Sequence, residues 1–226
     1  MTANDAYHSS ALYLDLEMTY WNGPPPPGLK QEIIEVGVIE MDLETLNITR
    51  EAAYFVRPRR WEVSSACTQL TGITSADIQS ARPFAEVLTT LTEQFQPSGK
   101  ICGTWGEDAA LIARTCNSQG IKSPLRNLLD VSQFFQRALL LRQQVGLGKA
   151  VEMLGFDFDG VPHGALADAR NTAWVHAAII RRMRREADSP PLPARERKEV
   201  AGLSVFAEKL RQCLPVGEEE QGAPDS

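Results

Sequence analysis

The chain has 226 residues, of which 43% are hydrophobic, and a formal net charge of −6 at pH 7. This length and composition predict one sizeable domain with a buried core, and no apolar run approaches the ~20 residues that span a bilayer. The negative charge argues against a protein that coats nucleic acid, because such proteins are usually basic. It does not argue against a site whose own carboxylates are offset by bound cations.

The N-terminus and the cysteines bear on the cellular compartment. Residues 1–10 lack the basic stretch followed by an apolar stretch that marks a secretory signal. The cysteines are widely spaced and form no CxxC pair, which argues against a zinc cluster; they are Cys67, Cys102, Cys116 and Cys213. We therefore expect a cytoplasmic protein with reduced thiols and no membrane association.

The first elements in chain order are predicted strands. Residues 11–17 alternate apolar with polar or acidic side chains, which is the period-two pattern of a strand. A loop with four consecutive prolines follows, and residues 33–42 and 48–58 then predict two strands joined as a hairpin. Two short strands are predicted further on, at 100–105 and at 125–131, although the second could instead begin a helix.

Helices are predicted where apolar residues recur at intervals of three and four. Pro83 marks the start of one such segment, and a short turn is predicted at 76–79. The predicted helices cover 84–95, 107–117, 132–144, 147–155 and 164–186. Together with the strands they predict an α/β fold, in which a mixed five-stranded sheet is flanked by helices.

The two ends of the chain differ from the middle. Residues 1–9 are predicted to be a flexible N-terminus, and residues 10–186 the folded domain. Residues 187–226 predict a proline-rich linker, an amphipathic helix at 196–213 and an acidic tail. That helix could fold back onto the domain, form a homodimer contact or bind a protein partner.

Two acids on the first predicted strand suggest chemistry. Asp15 and Glu17 are two residues apart, so their carboxylates share one face of the strand, while Leu14 and Leu16 occupy the other. On a central strand such a pair would repel and lose hydration, and a divalent cation such as magnesium or manganese would offset both costs. The alternative is a pair of surface acids on a half-exposed edge strand.

Three more residues belong to this prediction. His163 precedes Asp168 by five residues, and Asp168 falls near the start of a predicted helix, where the helix dipole favours a carboxylate. Asp108 likewise follows a short strand near the start of its helix. In open α/β sheets, sites collect at such strand and helix ends.

These motifs resemble a known family. The DLE near the N-terminus, the mid-chain acid and the H-x4-D that opens a late helix are together similar to the DEDDh exonucleases, over roughly residues 10–186. The segments QEIIEVGVIEMD, LTGIT, TWGED and HGALADARNTA resemble the histone-mRNA 3′-end exonuclease group and its bacterial relatives. The resemblance implies an RNase H-like fold and a 3′→5′ exonuclease that acts on single-stranded 3′ ends, RNA more than DNA, and releases nucleoside 5′-monophosphates.

The resemblance also implies roles for individual residues. Asp15, Glu17, Asp108 and Asp168 would hold two Mg²⁺ ions, for which Mn²⁺ could substitute. His163 would be the general base, a role that suits histidine near neutral pH. Relatives often have a second acid in the last motif, where this chain has Ala167, and one more residue in the middle motif. We choose Asp108 over its neighbour there because Ile112 and Cys116 follow it in helical register.

Contacts with substrate are less strongly indicated. Met18 and Thr19 end the first strand, and Leu70 and Thr71 lie in a loop that in the family borders the terminal nucleotide. A turn between short helices is nearly as good an explanation of that loop. The segment 57–61, RPRRW, could bind phosphates and stack on a base, although ordinary solvated arginines are the better expectation.

Two other functions fit the same sequence. A fold does not fix a function, so the chain could be a non-catalytic nucleic-acid-binding or regulatory module. The complete set of four acids and a histidine argues against that alternative. The chain could also be a proofreading-type accessory subunit that docks on a larger enzyme through residues 187–226.

Overall fold

The computed structural model describes residues 8–60 and 63–184. Its strands are β1 (Ser10–Met18), β2 (Ile33–Asp42), β3 (Ile48–Arg57), β4 (Arg82–Pro83), β5 (Ile101–Thr104) and β6 (Asn127–Asp130). Its helices are α1 (Ser65–Thr71), α2 (Ser75–Gln79), α3 (Phe84–Phe95), α4 (Asp108–Ser118), α5 (Val131–Ala138), α6 (Leu147–Met153) and α7 (Ala165–Met183).

The strands form one mixed sheet in the order β4-β3-β2-β1-β5-β6. The first three strands are antiparallel to one another, and β5 and β6 add to β1 in parallel. The predicted α/β class, with a mixed sheet between helices, is confirmed. The sheet has one strand more than the predicted five, because Arg82 and Pro83 pair with the end of β3 before α3 begins. Two residues carry no periodic pattern from which a strand could be predicted.

The predicted elements differ from the observed ones mainly in the helices. The segment 65–71 is a helix whose Ser64 side chain accepts the Cys67 N–H. A capping box between Thr74 and Asp77 makes α2 a helix rather than a turn. Helix α5 ends at Ala138, well short of the predicted 144, and Leu140 then takes a left-handed φ of 54°.

Strand β1 is central, as its pattern predicted, with β2 on one side and β5 on the other. Leu12, Leu14 and Leu16 pack into a core with residues of α3 and α4. Tyr13 belongs to the opposite core, built with α5, α6 and α7. Inside that core the Tyr13 hydroxyl and His176 Nδ1 are 2.6 Å apart, which joins β1 directly to α7. Odd-numbered residues of β1 therefore face α7, and this places Asp15 and Glu17 on that side.

The remaining predictions concern the cysteines, membrane-spanning segments and the two ends of the chain. Cys67, Cys102 and Cys116 are buried free thiols. None of the helices within residues 8–60 and 63–184 combines the length and the apolar character of a membrane-spanning segment. The predicted flexible start (1–9) lies largely outside the described residues, and the linker, amphipathic helix and acidic tail lie wholly outside them.

Candidate active site

Four carboxylates meet at the carboxyl end of β1. Asp15 and Glu17 project from β1 itself, Asp168 lies in the first turn of α7 and Asp108 is the first residue of α4. One oxygen each of Asp15, Glu17 and Asp168 lies within 4.8 Å of the others. The Asp15 and Asp108 side chains are hydrogen-bonded to each other. The structure thus brings together all four acids that the sequence singled out.

Burial and mutual repulsion raise the pKa values of all four carboxyl groups. Loss of hydration, followed by repulsion from neighbouring acids, raises the pKa of Glu17 to about 8. Burial likewise raises the pKa of Asp108 to about 7 and that of Asp168 to about 6, and holds the pKa of Asp15 well above its ordinary value. Glu107, next to Asp108, is exposed and stands outside this group.

The hydrogen bond between Asp15 and Asp108 requires a proton, which offsets their negative charge as a bound cation would. Asp168 Oδ1 is buried and has no hydrogen-bond partner among the described residues. An all-oxygen ligand set with one unsatisfied buried oxygen suits a hard divalent cation. The residues present therefore fit a divalent metal site.

His163 lies beside the cluster on the loop that enters α7. Its backbone N–H donates to the Asp168 carboxylate, and its φ of 64° is in the left-handed region. The side chain is exposed. The imidazole can therefore reach both the carboxylate cluster and solvent.

Asn171 holds this loop against α7. Its Oδ1 accepts the Asp159 N–H at 3.0 Å, and its Nδ2 donates to the carbonyls of Asp159 and Ala167 at 3.1 and 2.8 Å. A Cβ on Gly160 would lie 2.9 Å from the Cβ of Ala167. The loop is thus in close contact with the helix where Gly160 lies against Ala167.

Two residues of β2 position the start of α7, and sequence analysis did not identify either. A Cβ on Gly37 would lie 2.2 Å from the Ala165 carbonyl oxygen, so the helix rests directly on the strand. Glu35 Oε2 accepts the Ala165 N–H at 3.2 Å and lies opposite Glu17 in the sheet. An acid and a glycine in the apolar first half of the strand, at Glu35 and Gly37, were the available signal.

Two of the predicted substrate contacts close the end of β1. Thr19 Oγ1 accepts the Glu32 N–H at 2.9 Å, and the Thr19 N–H donates to the Glu32 carbonyl at the same distance. Thr19 is buried, and Met18 packs against the core on the leucine face. The hydroxyl of Thr19 is therefore engaged within the fold.

The other two predicted contacts lie on α1, next to the same strand end. Cys67 Sγ lies 3.5 Å from the Met18 carbonyl oxygen and links α1 to β1. Thr71 Oγ1 donates to the Cys67 carbonyl at 3.0 Å, whereas Leu70 is 39% exposed. Leu70 is thus the member of the predicted group whose apolar side chain is open to a ligand.

A carboxylate cluster at the end of a central strand, under the first turn of a helix, defines a divalent-metal site on an α/β scaffold. The chain belongs to the RNase T exonuclease family, which matches residues 12–175. The resemblance to DEDDh exonucleases and to the histone-mRNA 3′-end group is confirmed, and membership implies dependence on a divalent metal ion.

Individual relatives agree with this assignment. Mouse (Mus musculus) 3′-5′ exoribonuclease 1 is 28% identical over 192 residues, which cover 79% of this chain and 55% of the relative. A structure of the nuclease domain of 3′hExo, a DEDDh family member, bound to rAMP superposes with a TM-score of 0.72 at 26% identity, covering 78% and 94% of the two chains. The chain spans about half the length of the first curated relatives it matches.

A third match is a structure of 3′-end specific recognition of histone mRNA stem-loop by 3′-exonuclease. It has a TM-score of 0.71 and 26% identity, and the match covers 78% of this chain and 65% of that one. The likeness therefore extends across the described domain.

Proposed function

We propose that this chain is a metal-dependent 3′→5′ exonuclease that hydrolyses phosphodiester bonds at single-stranded 3′ ends. RNA is the favoured substrate over DNA, and nucleoside 5′-monophosphates are the products. The convergence of Asp15, Glu17, Asp108 and Asp168 beside His163 carries the proposal. The names of the matched relatives, which are 3′-5′ exoribonucleases, support the direction and the preference for RNA.

The four carboxylates would hold two Mg²⁺ ions, for which Mn²⁺ could substitute. When bound, such ions activate water and stabilise the charge of the leaving 3′ oxygen. The protein contributes the arrangement of ligands, which β1, α4 and α7 fix before substrate arrives. The enclosed position of Asp15 and Glu17 limits competing water.

His163 would accept the proton from the attacking water at an imidazole nitrogen. Its backbone N–H donates to the Asp168 carboxylate, which places His163 beside the cluster. Because the ring is exposed, the proton can pass from it to bulk solvent. The water oxygen would form a bond to phosphorus as the bond between phosphorus and the 3′ oxygen breaks. The 3′ oxygen would take a proton from solvent and remain on the shortened strand, and the released nucleotide would carry the phosphate on its 5′ oxygen.

The test is cleavage of 5′-labelled single-stranded RNA and DNA of matched sequence, each with Mg²⁺, Mn²⁺ or chelator. We expect a ladder that shortens from the 3′ end, needs metal and forms faster on RNA. Asp108→Asn should abolish it, and Glu107→Gln is the matched control because that neighbouring acid is exposed and outside the cluster. Equal activity of the two variants would contradict the assignment of Asp108, and internal cuts would contradict an exonuclease.

A further inference from the structure

One face of β3 is open beside the carboxylate cluster. Alternate residues along that strand, Glu51, Ala53, Phe55 and Arg57, are exposed. Phe55 is 41% exposed, although it is a large apolar residue within a sheet. Helix α7 packs mainly on β1 and β2, so it leaves this part of the sheet uncovered.

The register of the sheet places Phe55 in a row with the site. Glu17 on β1 lies opposite Glu35 on β2, and Glu35 lies opposite Phe55 on β3. Directly paired residues of antiparallel strands project to the same face. Two strand spacings separate the ends of this row, so the Cα atoms of Glu17 and Phe55 are about 10 Å apart. Phe55 therefore stands on the same surface as the cluster, next to it and outside it.

Exposed arginines follow Phe55 at the same end of the sheet. Arg57, Arg59 and Arg60 are all exposed, and the Arg60 N–H donates to Glu32 Oε2 at 3.0 Å, which fixes the segment beside the start of β2. Within residues 8–60 and 63–184, no ion pair engages the Arg57 or Arg59 guanidinium. Their charges are available to a ligand.

A substrate strand needs such groups here because the site itself is acidic. Cations close to the cluster attract phosphates, and arginine binds them through several N–H groups. Proteins that bind single strands without reading their sequence combine a cationic track with aromatic side chains on which bases stack. The row that leads from Glu17 to Phe55 and then to the arginines has both components.

We propose that Phe55, Arg57, Arg59 and Arg60 form an upstream subsite. It binds the nucleotides on the 5′ side of the scissile bond, with a base stacked on Phe55 and phosphates paired with the arginines. The ligand class is single-stranded nucleic acid. This inference rests on the proposed function, and it explains how a chain with net charge −6 holds a polyanion next to four carboxylates.

The test compares a substrate that reaches the subsite with one that does not. The long substrate is single-stranded RNA of about 12 nucleotides, within the usual site sizes for such proteins. The short one is the p-nitrophenyl ester of thymidine 5′-phosphate, which contains a single nucleotide. For Phe55→Ala, the ratio of the two KM values, RNA over ester, should rise about tenfold, as expected for the loss of one stacking contact. Arg57→Gln removes a phosphate contact and should raise the same ratio.

Two further variants control this comparison. Phe55→Trp keeps an aromatic face and should restore the ratio. Leu140→Ala removes another exposed apolar side chain, 72% exposed and located just after α5, and should leave the ratio as it is. A Phe55→Ala variant with an unchanged ratio would overturn the subsite.

An RNA-binding measurement tests the subsite independently of the proposed catalytic function. The probe is 5′-fluorescein single-stranded RNA, titrated with the Asp15→Asn chain and with Asp15→Asn plus Phe55→Ala. We expect an about tenfold weaker Kd for the double variant. If this loss is seen while the unchanged chain cleaves neither substrate with Mg²⁺ or Mn²⁺, the subsite stands and the exonuclease proposal is overturned. Equal Kd values would overturn the subsite.

Discussion

His163 combines an exposed imidazole with a left-handed backbone, which most residues adopt only at a cost. Replacement by alanine would remove the imidazole and also strain the left-handed backbone, so the two effects could not be told apart. Asparagine tolerates the left-handed region better than other non-glycine residues, so His163→Asn removes the imidazole with little change to the loop.

We expect His163→Asn to lower kcat by about 10²–10⁴-fold, because a general base contributes that much, with a small change in KM. Steady-state cleavage of single-stranded RNA at fixed Mg²⁺ gives both values, and His163→Ala should show at least the same loss. An Asn variant within tenfold of the unchanged chain would show that the imidazole is not the base.

At the scale of elements, the position of α7 depends on β2. Gly37 lets the helix rest on the strand, and Glu35 caps its first N–H. Both contacts lie within a few residues of Asp168 and His163 along the helix or its entry loop. Any displacement of the helix start therefore moves Asp168 and His163 together, the proposed metal ligand and the proposed base.

Gly37→Ala tests this dependence. A Cβ 2.2 Å from the Ala165 carbonyl oxygen must push the helix start away. We therefore expect the free energy of unfolding to fall by about 1–3 kcal/mol. We also expect kcat to fall at a temperature at which the variant is still folded. Gly148→Ala in α6 is the matched control, since nothing lies within 4 Å of its added Cβ. The control should be stabilised by about 0.5–1 kcal/mol, and full activity of Gly37→Ala would contradict the dependence on this contact.

At the scale of the whole molecule, the carboxylate cluster makes the stability of the metal-free protein depend on pH. Its carboxyl groups have pKa values raised above their ordinary range in the folded state, about 8 for Glu17 and about 7 for Asp108. The folded state thus holds protons that the unfolded chain has released, and the associated stability is lost as pH rises through these values. His176 has the opposite effect, because burial lowers its pKa to about 4. Its contribution reduces stability only as pH falls below its ordinary pKa near 6.5.

Between pH 6.5 and 8 the carboxylates therefore decide the trend. We expect the free energy of unfolding of the metal-free protein to fall across this window, by on the order of 1 kcal/mol. Saturating Mg²⁺ should remove the decline, and Glu17→Gln should flatten it without metal. Urea unfolding with chelator at several pH values measures this, and a metal-free protein that gains stability up to pH 8 would contradict the raised pKa values.

Local patterns predicted most of the fold and the residues of the site. The alternation around Asp15 predicted both the central strand and the shared face, and β2 begins and ends at the predicted residues 33 and 42. Helix α1 was not predicted, although its Ser64 cap is a local signal, and the two-residue β4 is too short to carry a periodic pattern. The roles of Glu35 and Gly37 could not be predicted from local sequence, because their partner Ala165 lies 130 residues from Glu35 along the chain.

The same separation along the chain has a consequence for biosynthesis. Asp15 and Glu17 leave the ribosome first among the four clustered acids, whereas Asp168 belongs to the last described helix. The contact between Tyr13 and His176, which docks that helix on β1, spans 163 residues. A nascent chain therefore carries an incomplete site until almost the whole domain has emerged. On the proposed function, the polypeptide would gain the ability to cleave RNA only once α7 has folded into place.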